Sequence, residues 1–79
     1  MTTDAPRVFI TGGAGYIGQS VAKRLAEQIS QYAVIVAADV RRVAPNQRIG
    51  GVVYETCDVR EPDVLRLMQQ YQIDTVVHL

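Results

Sequence analysis

A cluster of four glycines between two apolar patterns limits the folds that this chain can adopt. The apolar run at residues 8–10 is followed by Gly12, Gly13, Gly15 and Gly18. Because glycine loses more backbone entropy on folding than other residues, the turn must need either an unusual conformation or bare backbone. From Tyr16 onward, apolar residues recur every four positions, which predicts an amphipathic helix. The glycines are therefore predicted to join a strand to a helix.

The remaining patterns predict alternating strands and helices. Residues 8–10 and 33–40 are continuously apolar, as in strands covered on both faces. Residues 52–59 and 74–79 predict two more strands, and a second helix is predicted to begin near Pro62. The loop at residues 41–51 is short for a full crossover helix and leaves room for a turn or one helical turn. This order indicates a parallel sheet with helices packed on it.

Each helix has a predicted apolar face. In the first helix it consists of Ile17, Val21, Leu25 and Ile29, and in the second of Val64, Leu67, Met68 and Tyr71.

A glycine turn that opens a helix is suited to binding an anion. The first amides of a helix are unpaired, and the helix dipole is positive at that end. The cluster fits G-x-G-x-x-G through Gly13, Gly15 and Gly18, and it fits G-x-x-G-x-x-G with Gly12 in the first place. Gly12 or Gly13 would form the tight turn, Gly15 would admit a phosphate, and Gly18 would let the helix approach the strand.

An acidic residue follows at the distance expected for a ribose contact. Asp39 ends the second predicted strand about 20 residues after the glycines. A carboxylate there accepts hydrogen bonds from the adenosine ribose and repels a 2′-phosphate, which favours NAD over NADP. Arg41 and Arg42 leave this open, because an arginine there could hold a 2′-phosphate, stack on adenine or be solvated.

At this point the sequence resembles the extended short-chain dehydrogenase/reductases, the NAD-dependent epimerases and dehydratases. Their fingerprint T-G-x-x-G-x-x-G is matched by Thr11, Gly12, Gly15 and Gly18. Asp39 is similar to the family's ribose-binding acid, and Asp58 and Val59 to its adenine-contacting pair. The stretch at residues 76–79, ending at Leu79, resembles the fourth strand of that family, which runs into a short alanine-rich segment under the cofactor.

The resemblance implies a Rossmann-type parallel sheet with flanking helices, of which the chain supplies the N-terminal portion with strand order 3-2-1-4. It adds Tyr16, Ile17, Arg41 and Leu79 to the expected cofactor-binding residues. It also implies a Tyr-x-x-x-Lys pair that activates a substrate hydroxyl, but none of the four tyrosines has a lysine four residues on. No catalytic residue is therefore assigned, and that machinery is expected beyond residue 79.

Composition excludes several other classes of function. Eight basic and eight acidic side chains balance, so binding to nucleic acid or to an anionic membrane is not expected. Residues 1–7 are polar without a signal-peptide pattern, and no apolar run is long enough to span a membrane. Cys57 is the single cysteine, which favours the cytoplasm and a buried apolar role for its thiol.

Two further motifs lead to weaker hypotheses. Gly13 to Ser20 nearly matches a P-loop, but Gln19 stands where the phosphate-binding lysine is needed. His78 lies in a predicted apolar strand and is interpreted as a buried, hydrogen-bonded histidine rather than a catalytic base. No constellation of metal ligands is present in the sequence.

The sequence therefore predicts that residues 1–79 are the N-terminal part of a dinucleotide-binding domain of an oxidoreductase, epimerase or dehydratase. The resemblance suggests a nucleotide-sugar substrate, and a homo-oligomer is left open. The alternative hypothesis is a redox sensor or scaffold protein that binds NAD(P) without turnover.

Overall fold

A four-stranded parallel sheet forms the centre of the molecule. The computed structural model describes residues 5–79; the first four residues of the polar N-terminal stretch lie outside this range. The strands are β1 (Arg7–Thr11), β2 (Val34–Asp39), β3 (Val53–Thr56) and β4 (Thr75–Val77). Their order is β3-β2-β1-β4 with every pair parallel, which confirms the predicted order 3-2-1-4. Val8 in β1 lies opposite Ile35 in β2 and Thr75 in β4, which sets the register.

Two helices and two short 3₁₀ turns connect the strands. Helix α1 (Tyr16–Ala26) joins β1 to β2, and helix α2 (Asp63–Gln70) joins β3 to β4. The 3₁₀ turns span Ile29–Gln31 and Pro45–Gln47. The second lies in the loop predicted to hold a turn or one helical turn, so that prediction is confirmed.

The sheet buries apolar side chains on both faces, as the continuous apolar runs of β1 and β2 predict. Because successive strand residues point to opposite faces, the two runs supply two cores. The core on the α1 side contains Val8, Ile10, Ala22 and Ile35. The core on the α2 side contains Phe9, Val36, Ala38, Cys57 and Leu67. Each fully buried side chain of the size of valine, isoleucine or phenylalanine contributes about 1.5–3 kcal/mol relative to exposure.

The predicted apolar face of the first helix is only partly correct. Val21 and Leu25 pack against the core, but Ile17 is 65% exposed and Ile29 is 44% exposed in the 3₁₀ turn beyond Ala26. The buried residues of the helix are the small Gly18 and Ala22. The face of α1 that lies closest to the sheet is therefore formed by small residues. Hydrophobic periodicity does not predict this rotation of the helix.

The last two strands are shorter than predicted. β3 ends at Thr56, so Asp58 and Val59 lie in the loop after it. β4 ends at Val77, so His78 lies past the strand, and its side chain is exposed rather than buried. The interpretation of His78 as a buried strand residue is wrong, because the chain leaves the sheet one residue earlier.

The glycine turn depends on backbone contacts that a side chain would block. Gly12 has φ +72°, a conformation that glycine adopts readily. A Cβ on Gly18 would lie 2.1 Å from the Gly12 carbonyl oxygen, and one on Gly13 would lie 2.7 Å from the Ala37 Cβ. Gly18 thus lets α1 approach the turn itself, whereas the sequence predicted an approach to the strand.

We predict that Gly18→Ala destabilises the fold by about 3 kcal/mol or more, because backbone must move to admit the methyl group. Gly50→Ala is the matched control, since a Cβ on Gly50 would meet no atom of the described residues within 4 Å apart from its chain neighbours. This control should change stability by no more than about 1 kcal/mol. Urea unfolding midpoints measure both effects. Equal midpoints for the two variants would contradict the contact at Gly18.

Candidate functional site

The start of α1 presents backbone amides without partners. Within residues 5–79, the N–H groups of Tyr16, Ile17 and Gly18 have no hydrogen-bond acceptor. Gly15 is the N-cap and offers no side chain, and the first turn of the helix holds no acidic residue. These donors and the positive end of the helix dipole therefore point at a position that can hold an anion.

The space next to Gly15 is bordered by the end of one long side chain and by backbone. Apart from its chain neighbours, the nearest atoms to a Cβ on Gly15 are the Arg41 Nη2 at 3.3 Å and the Gly12 carbonyl oxygen at 3.6 Å. The Arg41 side chain is 66% exposed, so its end is the solvent-accessible group that borders Gly15. The side chains of Tyr16 and Ile17 extend into solvent, so only their amides face the turn.

Asp39 connects the glycine turn to the loop after β2. Its Oδ2 accepts a hydrogen bond from the Ala14 N–H at 3.0 Å, and its Oδ1 accepts one from the Arg41 N–H at 3.0 Å. The Arg41 guanidinium adds two longer contacts of 3.4 Å. Burial of the carboxyl raises the pKa of Asp39, but these hydrogen bonds outweigh it and hold the pKa below the usual 3.8.

A crevice of about 190 Å³ opens at the carboxyl ends of the strands. This is the edge at which open parallel sheets bind their ligands. It brings together four of the predicted site residues, Gly12, Asp39, Val59 and Leu79. It also contains residues that sequence reasoning did not assign to the site: Thr11, Val40, Cys57 and His78.

Thr11 fixes one wall of this crevice. Its Oγ1 accepts a hydrogen bond from the Leu79 N–H at 3.1 Å and lies 2.9 Å from Nδ1 of His78. The hydroxyl also lies 3.5 Å from the Val77 carbonyl oxygen, so its proton goes to that oxygen or to the imidazole nitrogen according to the tautomer of His78. The hydroxyl thereby attaches the segment after β4 to the end of β1, which explains why His78 faces the crevice.

Asp58 and Val59 do not share one cavity. Val59 lines the crevice with Asp39, whereas Asp58 lies in a neighbouring recess beside Cys57. The Asp58 carboxylate accepts hydrogen bonds from the backbone N–H, Nε and Nη2 of Arg60. The Arg60 guanidinium thereby lowers the pKa of Asp58.

Several residues missed by the sequence analysis have a recognisable signal. Thr11, Val40, Cys57 and His78 each lie at or just after the carboxyl end of a strand, where a parallel sheet collects its ligand contacts. Cys57 is buried as predicted, and burial raises the pKa of its thiol. Ala14 had no signal, because its role is a backbone N–H donated to Asp39.

Metal sites and membrane spans are both absent from residues 5–79. No group of three or more His, Cys, Asp or Glu side chains is arranged to hold a metal ion there. In the same range, no helix is both long enough and apolar enough to cross a bilayer.

Comparison with known proteins identifies the sequence family. The sequence-family model for the NAD dependent epimerase/dehydratase family matches residues 8–79. The chain is 34% identical over 83 aligned positions to dTDP-L-rhamnose 4-epimerase of Burkholderia thailandensis, covering 96% of this chain and 22% of that protein. The chain thus spans about a fifth of the length of this curated relative.

Solved structures share the fold at lower identity. dTDP-glucose 4,6-dehydratase of Bacillus anthracis, solved in complex with NAD, has a TM-score of 0.80 at 17% identity. L-threonine dehydrogenase of Clostridium difficile has a TM-score of 0.73 at 22% identity. The alignments cover 95% and 98% of this chain, and 26% and 24% of those structures.

We predict that the contribution of Asp39 to stability depends on pH. A carboxyl whose pKa is lower in the folded state stabilises the fold above the unfolded pKa, and this stabilisation is lost as the pH falls through the folded pKa. Asp39→Asn should therefore be less stable than the unmodified protein at pH 7, with the difference shrinking below about pH 4.

Unfolding free energies measured between pH 7 and pH 3 test this. Asp63→Asn is the control, because Asp63 is 72% exposed and its ion pair among the described residues is a 3.6 Å contact with Arg66. That variant should differ little from the unmodified protein across the range. A constant deficit for Asp39→Asn at all pH values would contradict the prediction.

Proposed function

The chain belongs to the NAD dependent epimerase/dehydratase family, and on this basis we propose that it forms the dinucleotide-binding part of an NAD-dependent epimerase, dehydratase or related oxidoreductase. Within the complete protein, residues 1–79 would be the N-terminal part of the Rossmann-type domain. The groups that carry out proton and hydride transfer would lie outside this part, since no tyrosine here is followed by a lysine four residues later.

The start of α1 carries this proposal. Three backbone amides lack acceptors within the described residues, no acidic residue lies in the first helical turn, and the nearest side chain to Gly15 is the flexible end of Arg41. A pyrophosphate is the part of a dinucleotide that these features suit, because it accepts several N–H bonds and is attracted to the helix dipole. In this proposal, Gly12, Gly13 and Gly18 shape the turn, and Tyr16 and Ile17 contribute their amides.

Asp39 is proposed to hold the adenosine ribose, with NAD favoured over NADP. Its two backbone hydrogen bonds are short, but its contacts with the Arg41 guanidinium are 3.4 Å long. Ribose hydroxyls could replace the long contacts without disturbing the short ones. A 2′-phosphate would meet the carboxylate at the same position, although Arg41 would offset part of that repulsion.

The adenine is proposed to lie toward the loop after β3. Val59 lines the crevice beside Asp39 and offers an apolar contact. Asp58 is proposed to accept from the adenine amino group, using acceptor capacity that Arg60 does not occupy. Leu79, which follows β4 and lines the same crevice, would lie nearer the nicotinamide half of the cofactor.

We propose a nucleotide-sugar as the substrate of the complete protein. The support is the relative with 34% identity, which is named as an epimerase of dTDP-L-rhamnose. A homo-oligomeric state and a cytoplasmic location stay predictions.

We predict that Gly15→Val abolishes most of the affinity for NAD while the protein stays folded. The new Cβ would come closest to the end of the Arg41 side chain, at 3.3 Å, and Gly15 has φ −75° and ψ 171°, which valine tolerates. The branched side chain would occupy the approach to the amides, so affinity should fall by at least about 30-fold, or about 2 kcal/mol.

Titration calorimetry of the complete protein with NAD measures this effect. Gly50→Val is the matched control and should bind as the unmodified protein does, because a Cβ at that position has no described neighbour within 4 Å. Unchanged affinity in folded Gly15→Val would overturn the proposed phosphate position.

We predict that Asp39→Ala weakens NAD binding more than NADP binding. The variant loses the ribose acceptor and also removes the charge that repels a 2′-phosphate, so the ratio of the two affinities should shift by about tenfold, or about 1.4 kcal/mol. Because Asp39 also holds the Ala14 N–H, a loss common to both cofactors is expected, and the ratio is the informative quantity. An equal effect on both would remove Asp39 from the ribose site.

A further inference from the structure

The side chain of Gln19 connects α1 to the loop between β2 and β3. Gln19 follows Gly18 directly, in the first turn of the helix. Its Nε2 donates a hydrogen bond to the Gln47 carbonyl oxygen at 2.9 Å, and its Oε1 accepts one from the Tyr54 hydroxyl at 2.8 Å. The amide nitrogen is thus hydrogen-bonded to the loop and the amide oxygen to β3. Gln19 nevertheless lies beside the predicted phosphate position.

The Tyr54 hydroxyl extends this connection. It donates to Gln19 and accepts a hydrogen bond from the Ile49 N–H at 3.1 Å. The Arg48 guanidinium lies 5.8 Å from the centroid of the Tyr54 ring, a distance suited to a cation–π contact. Gln19, Gln47, Ile49 and Tyr54 together fix the end of the loop, and we call this group the loop latch.

The beginning of the same loop is fixed at the glycine turn. The Arg41 N–H and guanidinium bind Asp39, and Asp39 in turn accepts from the Ala14 N–H. Between the two ends, the Arg48 Nε donates to the Val43 carbonyl oxygen at 3.0 Å. The segment at residues 41–49 is therefore held at both ends by residues that lie next to the glycine turn.

We propose that Gln19 and Tyr54 are positioning residues for the adenosine half of the cofactor. They hold the loop so that the Arg41 backbone N–H keeps its hydrogen bond to Asp39, which keeps the carboxylate oriented on the ribose side of the site before the cofactor arrives. Preorganisation of this kind raises affinity because less freedom is lost on binding. The inference rests on the proposed dinucleotide site, and neither side chain is assigned a contact with the cofactor.

The test compares Gln19→Ala, Tyr54→Phe and the double variant in the complete protein, with ADP and NAD as the titrated ligands. Each single variant breaks the loop latch, so the Kd for ADP should rise about three- to tenfold, the range set by one hydrogen bond. The double variant should bind about as weakly as either single variant, because both remove one shared network.

Tyr71→Phe is the matched control. It also removes one tyrosine hydroxyl, in this case the one that donates to Glu55 and ties the end of α2 to β3. This variant should lower the thermal midpoint yet leave the Kd for ADP unchanged, since that hydrogen bond lies on the α2 side of the sheet. Affinity is measured well below the thermal midpoints, so that a purely stabilising role would not alter it.

Hydrogen exchange at the Ile49 amide gives a readout that needs no ligand, and it should quicken in both single variants. Unchanged ADP affinity in Gln19→Ala and Tyr54→Phe, or an equal loss in Tyr71→Phe, would overturn the positioning role while the proposed function stands. If the unmodified protein bound neither ADP nor NAD, the proposed function would fail, and the positioning role would fail with it.

Discussion

The contact between Gly18 and the Gly12 carbonyl oxygen is the constraint on which the rest of the structure depends. It can form only because Gly18 has no side chain, and it places the first turn of α1 directly on the turn that leaves β1. The helix axis is thereby aligned so that its free amides lie at the carboxyl edge of the sheet. If the helix began one turn later or stood further from the strand, the same amides would face solvent away from Asp39. The fold and the proposed anion site thus both depend on one backbone contact.

Asp39 shows how the same carboxylate can serve the fold and a ligand. The backbone donors from Ala14 and Arg41 each take one oxygen at 3.0 Å, which fixes the orientation of the carboxylate. A carboxylate has about four acceptor positions, so two remain for weaker contacts or for ribose hydroxyls. The same hydrogen bonds lower its pKa and so favour the charged form of the carboxylate. An acceptor that is already oriented and charged loses little freedom when a ligand binds.

The features predictable from the sequence were those set by local backbone chemistry. The glycines, the continuous apolar strands and the alternation of elements were enough to predict a parallel sheet, and the family resemblance supplied the order of the strands. The exposure of Ile17 could not be predicted, because the rotation of α1 depends on Gly18 meeting a carbonyl from another segment. His78 was misplaced for a similar reason, since the segment after β4 is held by the Thr11 hydroxyl, which lies 67 residues away in the chain. The role of Gln19 could not be predicted from the sequence, because it depends on hydrogen bonds to both the loop and β3.

Electrostatics accounts for an acid and an arginine lying together at the proposed site for an anionic cofactor. A carboxylate next to a pyrophosphate would weaken binding through like-charge repulsion, which is strongest where the surroundings exclude water. Arg41 contacts Asp39 and lies beside Gly15, so its charge offsets that of the carboxylate on the side that faces the proposed phosphate position. The acid can then select for ribose hydroxyls while the net field at the glycine turn stays favourable to an anion. In the proposed NAD site, the position of Arg41 is therefore as important as that of Asp39, and the loop that carries Arg41 would influence cofactor affinity directly.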